Sequence, residues 1–387
     1  MTGASRDAGD SSVINIPIRK GRRRNMDPWR SLKIGDLIAR TPIIQGGMGV
    51  GISRAGLAAA VAEAGGIGVI ACAGIGMLEP DSFTDFVGAN LRALRDEIRK
   101  ARAATKGILG VNIMVALSQF ADFVRVAVEE KIDIIFSGAG LPLNLPELVR
   151  DKGRTKLAPI VSSARAAGVI IRKWKAKYGR LPDAVVVEGP LAGGHLGFSR
   201  EQIDDPAFAL DRLIPEVVAE VKIHERKHGY AIPVIAAGGI FTGGDIRRFV
   251  DLGSAGVQMA TRFVGTDECD ASPAFKQAYI DSKRGDLVII QSPVGMPGRA
   301  IRNRFLDDVQ AGKKKPFTCP YHCIVTCKAG DSPYCIALAL TNALKGKLEG
   351  GFVFAGANSY RVNEIVSVRA LIETLRAEYG SLAAGGE

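Results

Sequence analysis

The segment 183–198, DAVVVEGPLAGGHLGF, joins a strand to a loop in a way that suggests both the fold and a site. The mainly apolar run from Asp183 to Val187 is typical of a buried strand. It opens into a glycine-rich loop that carries a single histidine, His195. Glycine lets a backbone approach a flat ligand closely, and an imidazole can exchange a proton near neutral pH. The segment is therefore typical of the edge of an active site. A simple turn that carries a solvated histidine is an equally weighted alternative.

The same succession of strand, loop and helix occurs eight times between about residues 42 and 283. Strands that are apolar throughout indicate burial on both faces and hence a parallel sheet. Eight such units over roughly 250 residues predict a (β/α)8 TIM barrel of the α/β class. An open doubly wound sheet is the alternative, but no G-x-G-x-x-G motif opens the helix after the first strand. The predicted strands are 42–49, 66–74, 108–115, 133–140, 157–162, 184–188, 233–240 and 256–264.

Composition divides the chain into three predicted segments. Residues 1–30 contain seven Lys or Arg against three Asp, which predicts a flexible basic N-terminal arm. Residues 31–285 contain the barrel units. Residues 286–387 break the repeat with prolines, a cysteine cluster and two helical stretches near 336–345 and 363–379. We expect this last segment to be an appendage that folds over the mouth of the barrel.

Charge and hydropathy exclude some classes of protein. The net charge of +11 could attract nucleic acid, a membrane surface or anionic substrates. Aromatic residues make up only 6% and form no stripe with the basic residues, so nucleic-acid binding is not predicted. No apolar run reaches the ~18 residues that a spanning helix needs, and no signal peptide is evident. We expect a cytoplasmic protein that binds a small-molecule substrate and could assemble as a homo-oligomer.

The polar and glycine residues that are suited to ligand binding or catalysis lie at the ends of the predicted strands, where barrel enzymes bind their ligands. They are Gln45–Met48 after strand one, Asn112 in strand three, His195 after strand six, Gly238 and Gly239 after strand seven, and Gln258–Arg262 at the end of strand eight. The loops after strands seven and eight often bind phosphate in barrels. Gly238 and Gly239 leave the backbone N–H groups accessible, Thr261 offers a hydroxyl and Arg262 a charge. Tight strand-to-helix turns are the alternative explanation for these glycines.

Five motifs in order over residues 40–300 resemble the nitronate monooxygenase family, also called the 2-nitropropane dioxygenase family. They are PIIQGGMG, GVNIMV, AGGHLG, PVIAAGGI and GVQMATRFVGTDE. The resemblance implies an FMN-dependent barrel in which the glycines border the flavin and Asn112 hydrogen-bonds its ring. A later glycine segment, 350–356, resembles another part of the family's flavin site. The implied cofactor-binding residues are Gly46, Gly47, Met48, Asn112, Gly193, Gly194, Gly238, Gly239, Gln258, Met259, Thr261 and Arg262.

The resemblance also implies an activity. His195 matches the family's active-site histidine, which would abstract an α-proton from a nitroalkane or assist nitronate oxidation while the flavin passes electrons to O2. The same motifs resemble enoyl-acyl-carrier-protein reductases and quinone reductases of the family, which use NAD(P)H as electron donor. A non-catalytic flavin- or cluster-bearing subunit, docked through the basic arm, is a third hypothesis.

Four of the six cysteines fall within 17 residues. In a cytosolic protein, a cluster of this density predicts metal or iron–sulfur ligation by Cys319, Cys323, Cys327 and Cys335 in preference to disulfides. The C-x3-C-x3-C spacing matches none of the common ferredoxin patterns. Zinc, with His322 as a further ligand, and buried free thiols are the alternatives.

Overall fold

The computed structural model describes residues 1–3, 28–151, 153–314 and 317–384, so most of the predicted basic arm lies outside the described residues. The described strands are β1 Leu32–Ile34, β2 Leu37–Ala39, β3 Ile43–Gln45, β4 Ile67–Ala71, β5 Ile108–Met114, β6 Ile134–Gly138, β7 Lys156–Val161, β8 Val185–Glu188, β9 Gly194–His195, β10 Val234–Ala237, β11 Gly256–Met259, β12 Leu287–Gln291, β13 Pro297–Ile301 and β14 Val353–Phe354. The described helices are α1 Ala55–Glu63, α2 Phe86–Ala104, α3 Phe120–Glu129, α4 Leu145–Leu148, α5 Ala164–Tyr178, α6 Leu210–His228, α7 Gly243–Asp251, α8 Thr261–Val264, α9 Pro273–Asp281, α10 Arg304–Gln310, α11 Ile336–Leu344 and α12 Val368–Ala384.

Eight parallel strands close into a barrel in the order β3, β4, β5, β6, β7, β8, β10, β11. The ring closes where β11 pairs with β3, with Val257 opposite Ile43. Alternate residues of each strand face the interior of the barrel and the surrounding helices, which is why the strands are apolar on both faces. The prediction of a TIM barrel is confirmed.

The interior of the barrel is a separate hydrophobic cluster that includes Ile44, Ile134, Phe136 and Ile235, all fully buried. Burying a side chain of this size contributes about 1.5–3 kcal/mol relative to leaving it in water. The β1–β2 hairpin packs its apolar residues into the same cluster at the end of the barrel where the strands begin. The hairpin therefore closes this end of the barrel.

The predicted end of the eighth barrel strand is wrong. The segment 256–264 was expected to be a single strand, but β11 ends at Met259 and residues Thr261–Val264 form the short helix α8. Ala260 breaks the strand with φ −120° and ψ −53°. Phe263 and Val264 are buried in the helical turn. Because burial makes a strand and a helical turn equally apolar, composition alone could not distinguish them.

The C-terminal segment folds over the mouth of the barrel, as predicted. Strands β12, β13 and β14 form an antiparallel sheet, and β9, which lies in the loop after β8, pairs with β13. Gly298 of the appendage lies opposite His195 in that pairing. The appendage thus fixes the histidine loop directly. Within the described ranges, no helix is both long enough and apolar enough to cross a membrane.

Candidate active site

A cavity of about 300 Å³ opens where the barrel strands end. It brings together residues of β5, β7, β8, β9, β10 and β11 and of the loop after β3 with residues of the C-terminal appendage. Of the residues predicted to bind the cofactor or act in catalysis, those that line it are Gly46, Gly47, Met48, Asn112, Gly193, Gly194, His195, Gly238, Gly239, Gln258, Met259 and Thr261. Ala355 and Gly356, from the later glycine segment, line it as well.

Arg262 is the predicted site residue that the structure does not bring to this cavity. Its guanidinium lies over the ring of Phe241 at 4.5 Å and donates a hydrogen bond of 3.2 Å to the Phe241 carbonyl. The short helix α8 explains the difference, because consecutive residues of a helical turn point in different directions. Thr261 therefore faces the cavity, whereas Arg262 does not.

The glycines of the cavity wall are required by close packing. A Cβ added at Gly47 would lie 2.4 Å from the Asn112 Cβ, and one at Gly193 would lie 2.5 Å from the backbone of Ala355. Gly238 and Gly239 adopt φ values of +91° and +84°, which only glycine adopts readily. These positions keep the wall smooth and its backbone accessible, which suits a flat aromatic ligand such as the FMN ring.

Carboxylates cap the N-terminus of α7, beside the end of the cavity that residues 238–239 and 258–261 form. At the start of α7, the Asp245 carboxylate accepts hydrogen bonds from the backbone N–H groups of Phe241 and Thr242, and Glu378 accepts one from Gly243. These carboxylates occupy the N-terminus of α7, where a phosphate could otherwise bind. With the N-terminus of α7 occupied, the accessible loops 238–239 and 258–261 are the part of the cavity that suits the phosphate of FMN. The residues present therefore fit FMN.

The histidine loop is held by a buried arginine. The Arg299 side chain on β13 donates through Nη1 to the carbonyl oxygens of Pro190, at 2.6 Å, and Ala192, at 2.8 Å. Arg299 is only 6% exposed. Hydrogen bonds that involve a charged group contribute about 1.5–3 kcal/mol, so Arg299 fixes the conformation of the loop that ends in His195.

His195 has two neighbours from the appendage. Its Nε2 lies 2.8 Å from the Ser292 hydroxyl, and its ring meets the ring of Phe354 edge-on at 5.0 Å. Burial lowers the pKa of His195 to about 4. The imidazole is therefore neutral at pH 7 and can accept a proton.

Glu188 is a second titratable group in the cavity. It ends β8 and lines the cavity, and burial raises the pKa of its carboxyl group to about 7. Sequence reasoning did not select Glu188, Ser292 or Arg299. Glu188 carried a detectable signal, since it is the acidic residue that ends an apolar strand. Ser292 and Arg299 carried none, because about 100 residues separate them from the loop that they contact.

The side of the cavity formed with the appendage is apolar. Its lining includes Val50, Phe86, Leu117, Ile336 and Leu340. No lysine or arginine is among the described residues that line the cavity. This half of the cavity suits an uncharged, largely apolar substrate.

The four clustered cysteines line a second, smaller cavity of about 190 Å³, together with His322. All are free thiols. Burial, followed by the neighbouring thiols, raises the pKa of Cys323 to about 12. In the part of the chain that the structure describes, no three His, Cys, Asp or Glu side chains are placed to hold one metal ion. The structure therefore gives no support to a preformed single-metal site at Cys319, Cys323, Cys327 and Cys335.

Comparison with known proteins identifies the family. A "probable nitronate monooxygenase" of Staphylococcus aureus is 27% identical over 318 residues, covering 73% of this chain and 81% of that protein. A Mycobacterium tuberculosis enzyme, (3aS,4S,5R,7aS)-5-hydroxy-7a-methyl-1-oxo-octahydro-1H-indene-4-carboxyl-CoA dehydrogenase, is 29% identical over 273 residues, which are 70% of this chain and 66% of that enzyme. The structure of FabK from Thermotoga maritima superposes with a TM-score of 0.67 at 30% identity, covering 89% of this chain and 94% of FabK. The family model for nitronate monooxygenase matches residues 30–378, and the chain is thus a member of the nitronate monooxygenase family of oxidoreductases.

Proposed function

We propose that the chain is an FMN-dependent oxidoreductase that oxidises small nitroalkanes or their nitronates, with His195 as the proton-transfer residue. The observation that supports this most is a neutral imidazole held by Ser292 at the edge of a glycine-lined cavity. Family membership supports the same reaction class. A neutral nitroalkane also suits a cavity whose described lining contains no lysine or arginine.

In this proposal the protein binds, orients and deprotonates the substrate. Ser292 fixes the Nε2 edge of His195, and the neutral imidazole accepts the α-proton. Asn112 and the backbone of residues 46–48 hold the cofactor ring, and the loops 238–239 and 258–261 hold its phosphate. When bound, FMN supplies the electron transfer that amino-acid side chains cannot perform. The apolar wall around Phe86 and Leu340 excludes water from the substrate.

A His195→Ala variant tests the role of the histidine. We expect turnover of a neutral nitroalkane to fall by about 10²–10⁴-fold, the usual contribution of a positioned general base, while the FMN content stays unchanged. Preformed nitronate, which has already lost its proton, should lose less activity. His228→Ala, on the far helix α6, is the matched control and should keep full activity. Full nitroalkane turnover by His195→Ala would falsify the assignment.

Reduction of an enoyl thioester is a second candidate function. The apolar wall of the cavity favours it, since a hydrocarbon chain could lie along Val50, Phe86 and Leu340. The Mycobacterium tuberculosis relative, named as a carboxyl-CoA dehydrogenase, supports a thioester substrate. In this reaction His195 would deliver a proton to the substrate instead of removing one.

Anaerobic mixing with NAD(P)H separates the two candidates. Rapid bleaching of the flavin absorption would support a reductase that takes electrons from a nicotinamide cofactor. No bleaching with NAD(P)H, together with bleaching by a nitroalkane, would support nitroalkane oxidation. The same samples give both results, so differences in flavin loading cannot explain the outcome.

A further inference from the structure

The C-terminal appendage contains a group of thiols that the proposed oxidation does not use. Cys319, Cys323 and Cys327 lie in the loop before α11, and Cys335 is the residue directly before that helix. All four line the same cavity of about 190 Å³. Cys72 and Cys269, the remaining cysteines, are buried in the main hydrophobic core instead. The fold therefore separates the six cysteines into four that share a cavity and two that lie in the main core.

Hydrogen bonds to the barrel fix the loop that carries these thiols. The Ser118 N–H donates to the Cys323 carbonyl at 3.1 Å, and the Val325 N–H donates to the Ala116 carbonyl at 3.0 Å. The Thr326 hydroxyl donates to the Val294 carbonyl at 2.9 Å. The backbone from Cys323 to Thr326 is consequently held in place.

The arrangement around the cavity argues against a single ion and for a larger group. A zinc ion would need its sulfur ligands to converge within about 2.3 Å of one point, and no three candidate ligands among the described residues do so. A [4Fe–4S] cluster takes four cysteine thiolates, each bound to a different iron at the periphery of the cluster. Four thiols that surround a cavity match this requirement. The backbone N–H of His322 already donates to the Cys319 sulfur at 3.3 Å, and such hydrogen bonds tune the potential of iron–sulfur clusters.

The thiol cavity lies next to the active-site cavity. Cys323, Ile324 and Ile336 line both cavities. On the other side, Tyr321 packs against Phe86, which itself lines the active-site cavity. We propose that Cys319, Cys323, Cys327 and Cys335 ligate a [4Fe–4S] cluster, which places a one-electron carrier against the wall of the cofactor cavity.

Metal analysis of the full-length chain tests the proposal. The protein is purified without oxygen, reconstituted with ferrous iron and sulfide, and desalted. We expect about four iron and four sulfide per chain, a broad visible absorption that dithionite bleaches, and an electron paramagnetic resonance signal in the reduced state. Zinc in place of iron, or a chain that takes up neither, would overturn the proposal.

Serine variants locate the cluster. Cys323→Ser and Cys335→Ser should lose most of the bound iron, whereas Cys269→Ser, a buried thiol outside the cavity, should retain it. Flavin content, measured in the same samples, shows whether each variant is folded. Iron retained by a variant in which all four cysteines are serine would overturn the assignment of the ligands. If a variant does not fold, the iron and sulfide content of the unmodified chain still decides the question.

Discussion

Replacing Ser292 with alanine removes the hydroxyl that contacts the Nε2 of His195 at 2.8 Å. The bond joins two uncharged groups, since burial lowers the pKa of His195 to about 4. Such a hydrogen bond contributes about 0.5–1.5 kcal/mol, which corresponds to a decrease of roughly 2- to 10-fold in kcat. Ser292 is 3% exposed and lies beyond the barrel strands, so we expect binding of FMN to be unaffected. We therefore expect kcat to fall while KM and FMN content stay constant.

The assay is steady-state turnover of a nitroalkane between about pH 3 and pH 9, with FMN content measured on each sample. Ser137→Ala is the control, because it removes a buried hydroxyl that donates at 2.9 Å to a backbone carbonyl without touching His195. If Ser292 positions His195, only Ser292→Ala should show a lower kcat and a shifted acidic limb in its pH–rate profile. Equal losses in both variants, or an unchanged kcat and pH profile in Ser292→Ala, would refute the reasoning.

Three further predictions follow from the same cavity. Activity that needs neutral His195 should stay constant as the pH falls to about 5 and decline as it passes about 4. Activity should also decline as the pH rises through about 7, because ionisation of Glu188 places a negative charge in the cavity, and this alkaline limb should disappear in Glu188→Gln. Identical pH profiles in both proteins would exclude this effect of Glu188. Gly193→Ala should abolish or strongly weaken FMN binding, because the new methyl group would lie 2.5 Å from the backbone of Ala355. Fluorescence titration measures the affinity, and an unchanged affinity would contradict the close packing. Arg299→Met removes two buried hydrogen bonds and should lower the free energy of unfolding by roughly 3–6 kcal/mol in denaturant unfolding. A change below about 0.5 kcal/mol would contradict the role of Arg299 in the loop.

The barrel could be predicted from the sequence because its strands are apolar on both faces and its helices are amphipathic, patterns that depend on neighbouring residues only. The end of β11 could not, since the buried helical turn at Phe263 is as apolar as a strand. The strand-end residues that line the cavity were also predictable, because a parallel barrel places all strand ends at one rim.

The residues that hold His195 and its loop in place could not be predicted, because their contacts depend on the tertiary structure. Ser292 and Arg299 act across about 100 residues of sequence, and a serine or an arginine by itself carries no pattern. Arg262 was misplaced for a different, local reason: its direction depends on the turn at Ala260, which the sequence does not reveal. The cysteines were predicted to cluster, and they do share a cavity, but the sequence could not tell that no three of the described ligands converge on one ion.

Flavin binding tests the central claim most directly. The full-length chain is freed of bound cofactor, incubated with FMN, desalted, and its visible absorption spectrum is recorded. The glycine-lined cavity predicts a yellow protein with about one FMN per chain, and loss of the flavin in Gly193→Ala. A colourless protein that takes up no FMN would contradict the account of the cavity and of the chemistry proposed for it.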